Sequence, residues 1–230
     1  MHKTRNTVLP ILVGLFVLPA FLTADIVKSG LGGNIPDNNA GGVSFSAEVA
    51  EDEMVEGVLL QLNGFNHTWV GDLVITLTGP DGSVATIMNR TGTGFLNDSS
   101  NLTAFTQSGP PSAYIFDDDA TGDWWAEAAL GGTNYEMRPG PYRPSDDSGL
   151  FASMNAQFAN KSSQGTWTLT VSDNLGGDTG ALETWDLTLI TSEVVPEPGT
   201  TLLLASCVGC LVLVRRKRRT IVDYQRHDTF

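Results

Sequence analysis

Residues 165–189 read GTWTLTVSDNLGGDTGALETWDLTL, and the fold is decided in this stretch. Two runs alternate with period two, Thr166-Trp167-Thr168-Leu169-Thr170-Val171 and Thr184-Trp185-Asp186-Leu187-Thr188-Leu189. In each, the tryptophan and the aliphatic residues point one way, and threonine or aspartate points the other. That pattern predicts strands with one buried and one wet face. Between them, Asn174-Leu175-Gly176-Gly177-Asp178-Thr179-Gly180 is rich in residues that accept tight turns. The two strands are expected to form a hairpin or to lie close through a looped connection, each sending its tryptophan into the same core.

The rest of the chain fits that beginning. At 230 residues it is long enough for one domain with a substantial core. It is rich in Gly, Thr and Ser and poor in amphipathic helical patterns. The formal net charge is −13, and residues 25–195 hold 5 Lys/Arg against 23 Asp/Glu, a local balance of −18. So acidic a body repels nucleic acid and anionic membrane surfaces and attracts cations, which excludes a nucleic-acid partner. Strands are expected over Val43–Val49, Gly57–Leu62 and Ala113–Phe116. A hairpin is expected where Asp72–Thr78 and Ser83–Met88 flank Gly79-Pro80-Asp81-Gly82. Residues 89–111 and 124–144 lack periodicity and are expected to be irregular. The sum is an all-β, jelly-roll-like β-sandwich of about eight strands.

Both ends carry hydrophobic targeting segments. His2, Lys3 and Arg5 precede an apolar run from Val8 to Leu22 and then Thr23-Ala24. This is the make-up of a secretory signal peptide (1–24), with a retained anchor as the alternative. Residues 25–42, polar and glycine-rich, are expected to be a flexible leader to a domain over 43–191. Pro196-Glu197-Pro198 lies in a linker (192–199), before an apolar run (200–214) and then Arg215-Arg216-Lys217-Arg218-Arg219 in a basic tail (215–230). Fourteen residues of helix, Thr201 to Val214, reach about 21 Å, short of a hydrocarbon core of roughly 30 Å. A short transmembrane helix capped by arginines on the cytoplasmic side reads as a sorting device. The ending resembles the PEP-CTERM signal of Gram-negative bacteria that make extracellular polysaccharide, although Thr220 to Phe230 continue past the basic cluster. The resemblance implies processing near the Pro-Glu-Pro motif by an exosortase-type enzyme. It also implies transient single-pass anchoring and release to the cell envelope, surface or matrix. Cys207 and Cys210 lie inside the apolar run, where C-x-x-C marks small apolar residues rather than redox or metal chemistry.

Four landmarks stand in order along the domain. They are His67-Thr68-Trp69-Val70-Gly71-Asp72-Leu73 with Leu77-Thr78-Gly79-Pro80-Asp81-Gly82, then Ile115-Phe116-Asp117-Asp118-Asp119-Ala120, then Gly140-Pro141-Tyr142-Arg143-Pro144 leading to Leu150 and Phe151, and finally the opening stretch. Together they resemble the P domain, or Homo B domain, of kexin- and furin-type proprotein convertases, in the version attached to bacterial subtilisin-like proteases. The resemblance covers about Val43 to Ile190. It implies a β-sandwich that accompanies and stabilises a subtilisin catalytic domain. Here only the signal peptide and leader precede it, so a non-catalytic module is expected. Its partners are expected to be extracellular polysaccharide or, alternatively, a secreted subtilisin-like peptidase served in trans. Val70 stands where animal convertases carry an arginine before Gly-Asp-Leu, which leaves no integrin-type motif.

Two kinds of chemistry remain to be placed. His67 is the lone histidine of residues 25–195, and a Ser-His-Asp hydrolase would need it beside a serine and a carboxylate. At a loop-to-strand junction it is expected to order the backbone instead. The carboxylates Asp117, Asp118, Asp119 and Asp173, with Asp123 and Asp178 nearby in sequence, are either solvated loop acids or ligands of a calcium ion, the candidate cofactor. The spacing is not that of an EF-hand. Trp124-Trp125 and Tyr135 are expected to pack in the core or at its edge, with stacking on a sugar as the alternative.

Overall fold

The computed structural model describes residues 22–92, 101–103, 113–130 and 135–193. Residues 1–21 of the signal segment, Pro196-Glu197-Pro198, the apolar run and the basic cluster Arg215–Arg219 lie outside the described residues, whereas residues 22–24 begin the first strand. Among the described residues, no helix is long and apolar enough to cross a membrane.

In chain order the strands are β1 (Leu22–Ile35), β2 (Asn39–Val49), β3 (Met54–Asn63), β4 (Asn66–His67), β5 (Leu73–Thr78), β6 (Val84–Asn89), β7 (Asn101–Thr103), β8 (Ala113–Asp117), β9 (Gly122–Asp123), β10 (Glu136–Met137), β11 (Gly140–Arg143), β12 (Gly165–Asp173) and β13 (Gly180–Glu193). Eight of them run five residues or longer. The larger sheet has the order β10-β7-β4-β13-β3-β8-β11-β9, with β1 also on β13, and the smaller is β2-β12-β5-β6. Two sheets sharing one apolar core make the chain an all-β sandwich.

β12 and β13 do not form a hairpin. β12 is bound antiparallel between β2 and β5, with Trp167 opposite Ala47, whereas β13 pairs with β3 in the other sheet, with Trp185 opposite Leu62. The looped connection is the arrangement found, and it carries the chain from one sheet to the other. Both indoles enter the same core, Trp167 1% and Trp185 0% exposed. Alternation explains each strand: Leu169 and Val171 are buried with Trp167, while Thr166, Thr168 and Thr170 look out and bond across to β2, Thr166 Oγ1 to the Glu48 carboxylate and Thr170 Oγ1 with Ser44 Oγ at 2.9 Å. Trp167 Nε1 donates to Ser163 O (2.9 Å) and its ring meets Phe158 edge-on at 4.9 Å.

The hairpin β5–β6 forms as expected, and Gly82, with φ of 83°, supplies the left-handed residue its turn requires. The second region expected to be irregular contains a one-turn helix, α1 (Trp124–Ala128), and another, α2 (Asn155–Phe158), follows it. Asp123 caps α1 by accepting from Ala126 N at 2.9 Å. That helix separates the adjacent tryptophans, so that Trp124 is buried and Trp125 lies half-buried against Gly149.

Residues 25–35 depart from expectation. They are strand, not flexible leader, and pair with β13. The reason is steric fit. Gly30 lies directly on the indole of Trp185, where an added Cβ would come within 2.2 Å of Nε1, and Gly32 lies as close to the Leu182 carbonyl. Glycines that read as loop residues are there to let two backbones approach. Ile26 and Ile35 complete the cover of the core.

Gly30→Val should therefore overpack the Trp185 site and cost about 2 kcal/mol or more, whereas Leu31→Thr, at a side chain 81% exposed, should change stability by about 0.5 kcal/mol or less. Urea unfolding of the full chain followed by tryptophan fluorescence reads both; equal, small effects would return residues 25–35 to the status of a loose leader.

Candidate functional site

One end of the sandwich gathers the buried side chains of His67, Asp72 and Asp173. β4 places His67 beside Gly180 of β13, whose hydrogen leaves room for the ring: a Cβ there would sit 2.4 Å from His67 Cδ2. The His67 side chain is wholly buried. Its Nε2 lies 3.3 Å from Asp173 Oδ2, and its Nδ1 meets both the carbonyl (2.8 Å) and the amide (3.1 Å) of Trp69. The tautomer sets the roles: a proton on Nδ1 donates to the Trp69 carbonyl, and a proton on Nε2 donates to Asp173 while Nδ1 accepts from the Trp69 N–H. Among the described residues no serine hydroxyl bonds to the ring.

The next turn, Val70–Asp72, is a single 3-10 turn that brings Asp72 under the same layer. Asp72 is 1% exposed, its Oδ1 3.9 Å from the Arg90 guanidinium and its Oδ2 without a hydrogen bond. Burial pushes its carboxyl up to about 6; Arg90 pulls it back, Asp173 and Asp178 push it further, and His67 pulls it back. Asn174 closes the corner by donating from its backbone (2.8 Å) and its side chain (3.0 Å) to the Asp72 carbonyl. Thr68 Oγ1 donates to Asp178 (2.7 Å) and accepts from Thr179 N (3.1 Å). This assembly can order three chain segments. Its ring and carboxylates face protein, so it has no open position from which to attack or deprotonate a substrate.

The four calcium candidates are not brought together. Asp117 ends β8 in the larger sheet, and Asp173 ends β12 in the smaller, committed to His67 and to Leu175 N (3.1 Å). Asp118 turns to the start of α2, where it accepts from Ser153 Oγ, Met154 N (2.9 Å) and Asn155 N (3.0 Å). Asp117 Oδ1 holds the Asp119 amide at 3.0 Å. Among the described residues, no group of three or more His, Cys, Asp and Glu side chains could hold a metal ion. The carboxylates are spent on backbone N–H groups, which relieve their crowding as a cation would.

Reading the sequence missed two groups. Glu127, buried on α1, holds Arg138 through Nε (2.9 Å) and Nη2 (2.8 Å) and accepts from the Tyr135 hydroxyl (2.5 Å). The Arg138 hydrogen bonds, helped by Tyr135 and the Arg138 amide against the pull of burial, hold its carboxyl down to about 2. Tyr135 is thus a tie in a clamp. The second group is a cleft beside α1 containing Arg143, Ser145 and Phe151. Neither has a periodic or spaced signature, since each is assembled from separate loops.

The family model for the proprotein convertase P domain matches residues 55–128 and 132–189. No curated protein matches the chain at a significant level. Among solved structures, the Aeromonas sobria serine protease in complex with its chaperone is similar at 17% identity and a TM-score of 0.44, over 78% of this chain and 28% of that one. The same protease alone gives 16% identity and a TM-score of 0.44, over 76% and 28%. This chain spans less than a third of those proteins.

Two outcomes follow from the geometry. Because the folded state resists ionising Asp72, the stability this group lends is full below pH 4 and is lost as pH rises through about 6. Asp72→Asn should therefore gain on the wild type between pH 4 and 6.5, by up to about 2 kcal/mol in urea unfolding; a difference that stays flat with pH would contradict the burial argument. Asp118→Ala should cost about 1–2 kcal/mol through the loss of the α2 cap. The cost should be the same in millimolar calcium and in sodium at matched ionic strength, and a cost confined to calcium would put a cation on this carboxylate.

Proposed function

Because the chain belongs to the proprotein convertase P-domain family, we propose that it is an exported, non-catalytic P-domain module. It acts as a binding or structural element at the cell envelope or in an extracellular polysaccharide matrix. The observation that carries the non-catalytic reading is the state of His67. With its side chain wholly buried and both ring nitrogens occupied by Trp69 and Asp173, it works as a corner post of the sandwich. The outer face of the β2–β12 pair carries Ser44, Ser46, Thr166, Thr168 and Thr170, a polar surface suited to a hydrated matrix.

Placement at the surface rests on the order of Pro196-Glu197-Pro198, the apolar run and Arg215–Arg219 in the sequence. On this reading an exosortase-type enzyme cuts near the motif after transient anchoring. The family itself supports a second reading, in which the module serves a subtilisin-like serine peptidase in trans as an accessory domain.

Two measurements test these readings. The full chain should show no turnover of fluorogenic peptides; turnover that scales with protein and stops with a serine-directed inhibitor would overturn the non-catalytic assignment. Mass spectrometry of the protein stripped from intact cells should find chains ending near Pro198 and lacking Cys207, Cys210 and the basic tail. Intact chains through Phe230 would leave an ordinary anchored protein, and co-purification with a secreted subtilase would favour the second reading.

A further inference from the structure

A shallow, half-open cleft lies beside α1, lined by Asp123, Trp124, Arg143, Ser145, Gly149 and Phe151. Its side chains are unusually uncommitted. The Arg143 guanidinium lies 5.9 Å from the centre of the Phe151 ring and has no carboxylate partner among the described residues. Asp123 gives Oδ1 to the Ala126 amide, which leaves Oδ2 to accept. Ser145 is 5% exposed, and its Oγ is buried without a hydrogen-bond partner. A buried orphan hydroxyl is a standing penalty, and a change of staggered rotamer about its Cα–Cβ bond would let a ligand relieve it. Phe151, half exposed, offers carbon surface beside these polar groups.

We propose that this cleft is a binding site for a neutral sugar unit, a pyranose ring of an extracellular polysaccharide. A pyranose presents adjacent hydroxyls that both donate and accept, together with an apolar face of C–H bonds. Arg143 supplies donors in a planar fork, Asp123 an acceptor, Ser145 either role, and Phe151 the apolar contact. A uronate or other anionic sugar is disfavoured, because Asp123 sits in the cleft and residues 25–195 carry −18. A peptide docking through its main chain is disfavoured too, because the surrounding loop spends its amides internally: Ser145 N on Ile87 O (3.0 Å), Asp146 N on Leu150 O (2.9 Å) and Ala152 N on Pro144 O (3.1 Å). The inference deepens the proposed matrix role and rests on it for the source of the sugar.

The full chain in detergent is titrated by calorimetry with neutral hexasaccharides of β-linked glucose, mannose and galactose, with oligogalacturonate, and with casein peptides. Saturable binding of at least one neutral hexasaccharide is expected. Arg143→Met should weaken it about tenfold. Ser145→Ala should weaken it about threefold without lowering the melting temperature, because the hydroxyl it removes has no partner in the fold. A Ser145→Ala protein that melts lower would show the hydroxyl to be structural. No saturable neutral-sugar binding, binding unchanged in Arg143→Met, or binding confined to oligogalacturonate or peptides would each overturn the site. Failure here with the processed protein still on the cell surface removes this ligand and leaves the exported-module reading standing; a chain absent from the surface removes that reading instead.

Discussion

Burial of the Trp185 indole between the two sheets is the constraint on which the rest of the structure depends. A side chain of that size, fully removed from water, requires Leu62 beside it on β3, Trp167 in the same core from the opposite sheet, and a strand to cover it. β1 is that cover, and it can lie close only because Gly30 has no side chain. The fit has a cost, since Trp185 Nε1 is left without an acceptor. Apolar burial outweighs one lost hydrogen bond, in line with the magnitudes usual for each.

The corner around His67 shows how residues associated with catalysis can be consumed by architecture. Histidine, aspartate and arginine lie together there, but the histidine and the aspartates are buried under a loop that packs on them. Chain segments that leave a sheet bring unpaired amides and carbonyls with them, and in a buried corner these must be met by side chains. The same economy holds at Asp118 and Glu127, each engaged with backbone groups or a tying arginine. Against that background the uncommitted groups around Arg143 and Ser145 stand out, because polar side chains elsewhere in the fold so often have partners.

Local period was enough for much of the fold. The alternation of Trp167, Leu169 and Val171, of Trp185, Leu187 and Leu189, and of the β5–β6 hairpin made strands, their inward faces and the all-β class legible. So did the four ordered landmarks for the family, because turn and core residues at fixed offsets survive as words in a sequence. The acidic balance is likewise compositional and needs no coordinates.

Pairing between distant segments was decided only by tertiary structure. Nothing in Asn174–Thr179 distinguishes a hairpin loop from one that crosses between sheets; the choice falls to β2 and β3, which claim β12 and β13 respectively. Gly30 and Gly32 read as leader because a glycine has no pattern of its own, and its meaning lies in the atom opposite. The aspartates read either as solvated loop acids or as a cation site, since sequence shows only that like charges are adjacent, whereas the fold sends Asp118 to α2 and Asp173 to His67. Periodicity is a property of one segment and is carried by the sequence itself. Partnership joins two segments far apart in the chain, and only the packed core selects it.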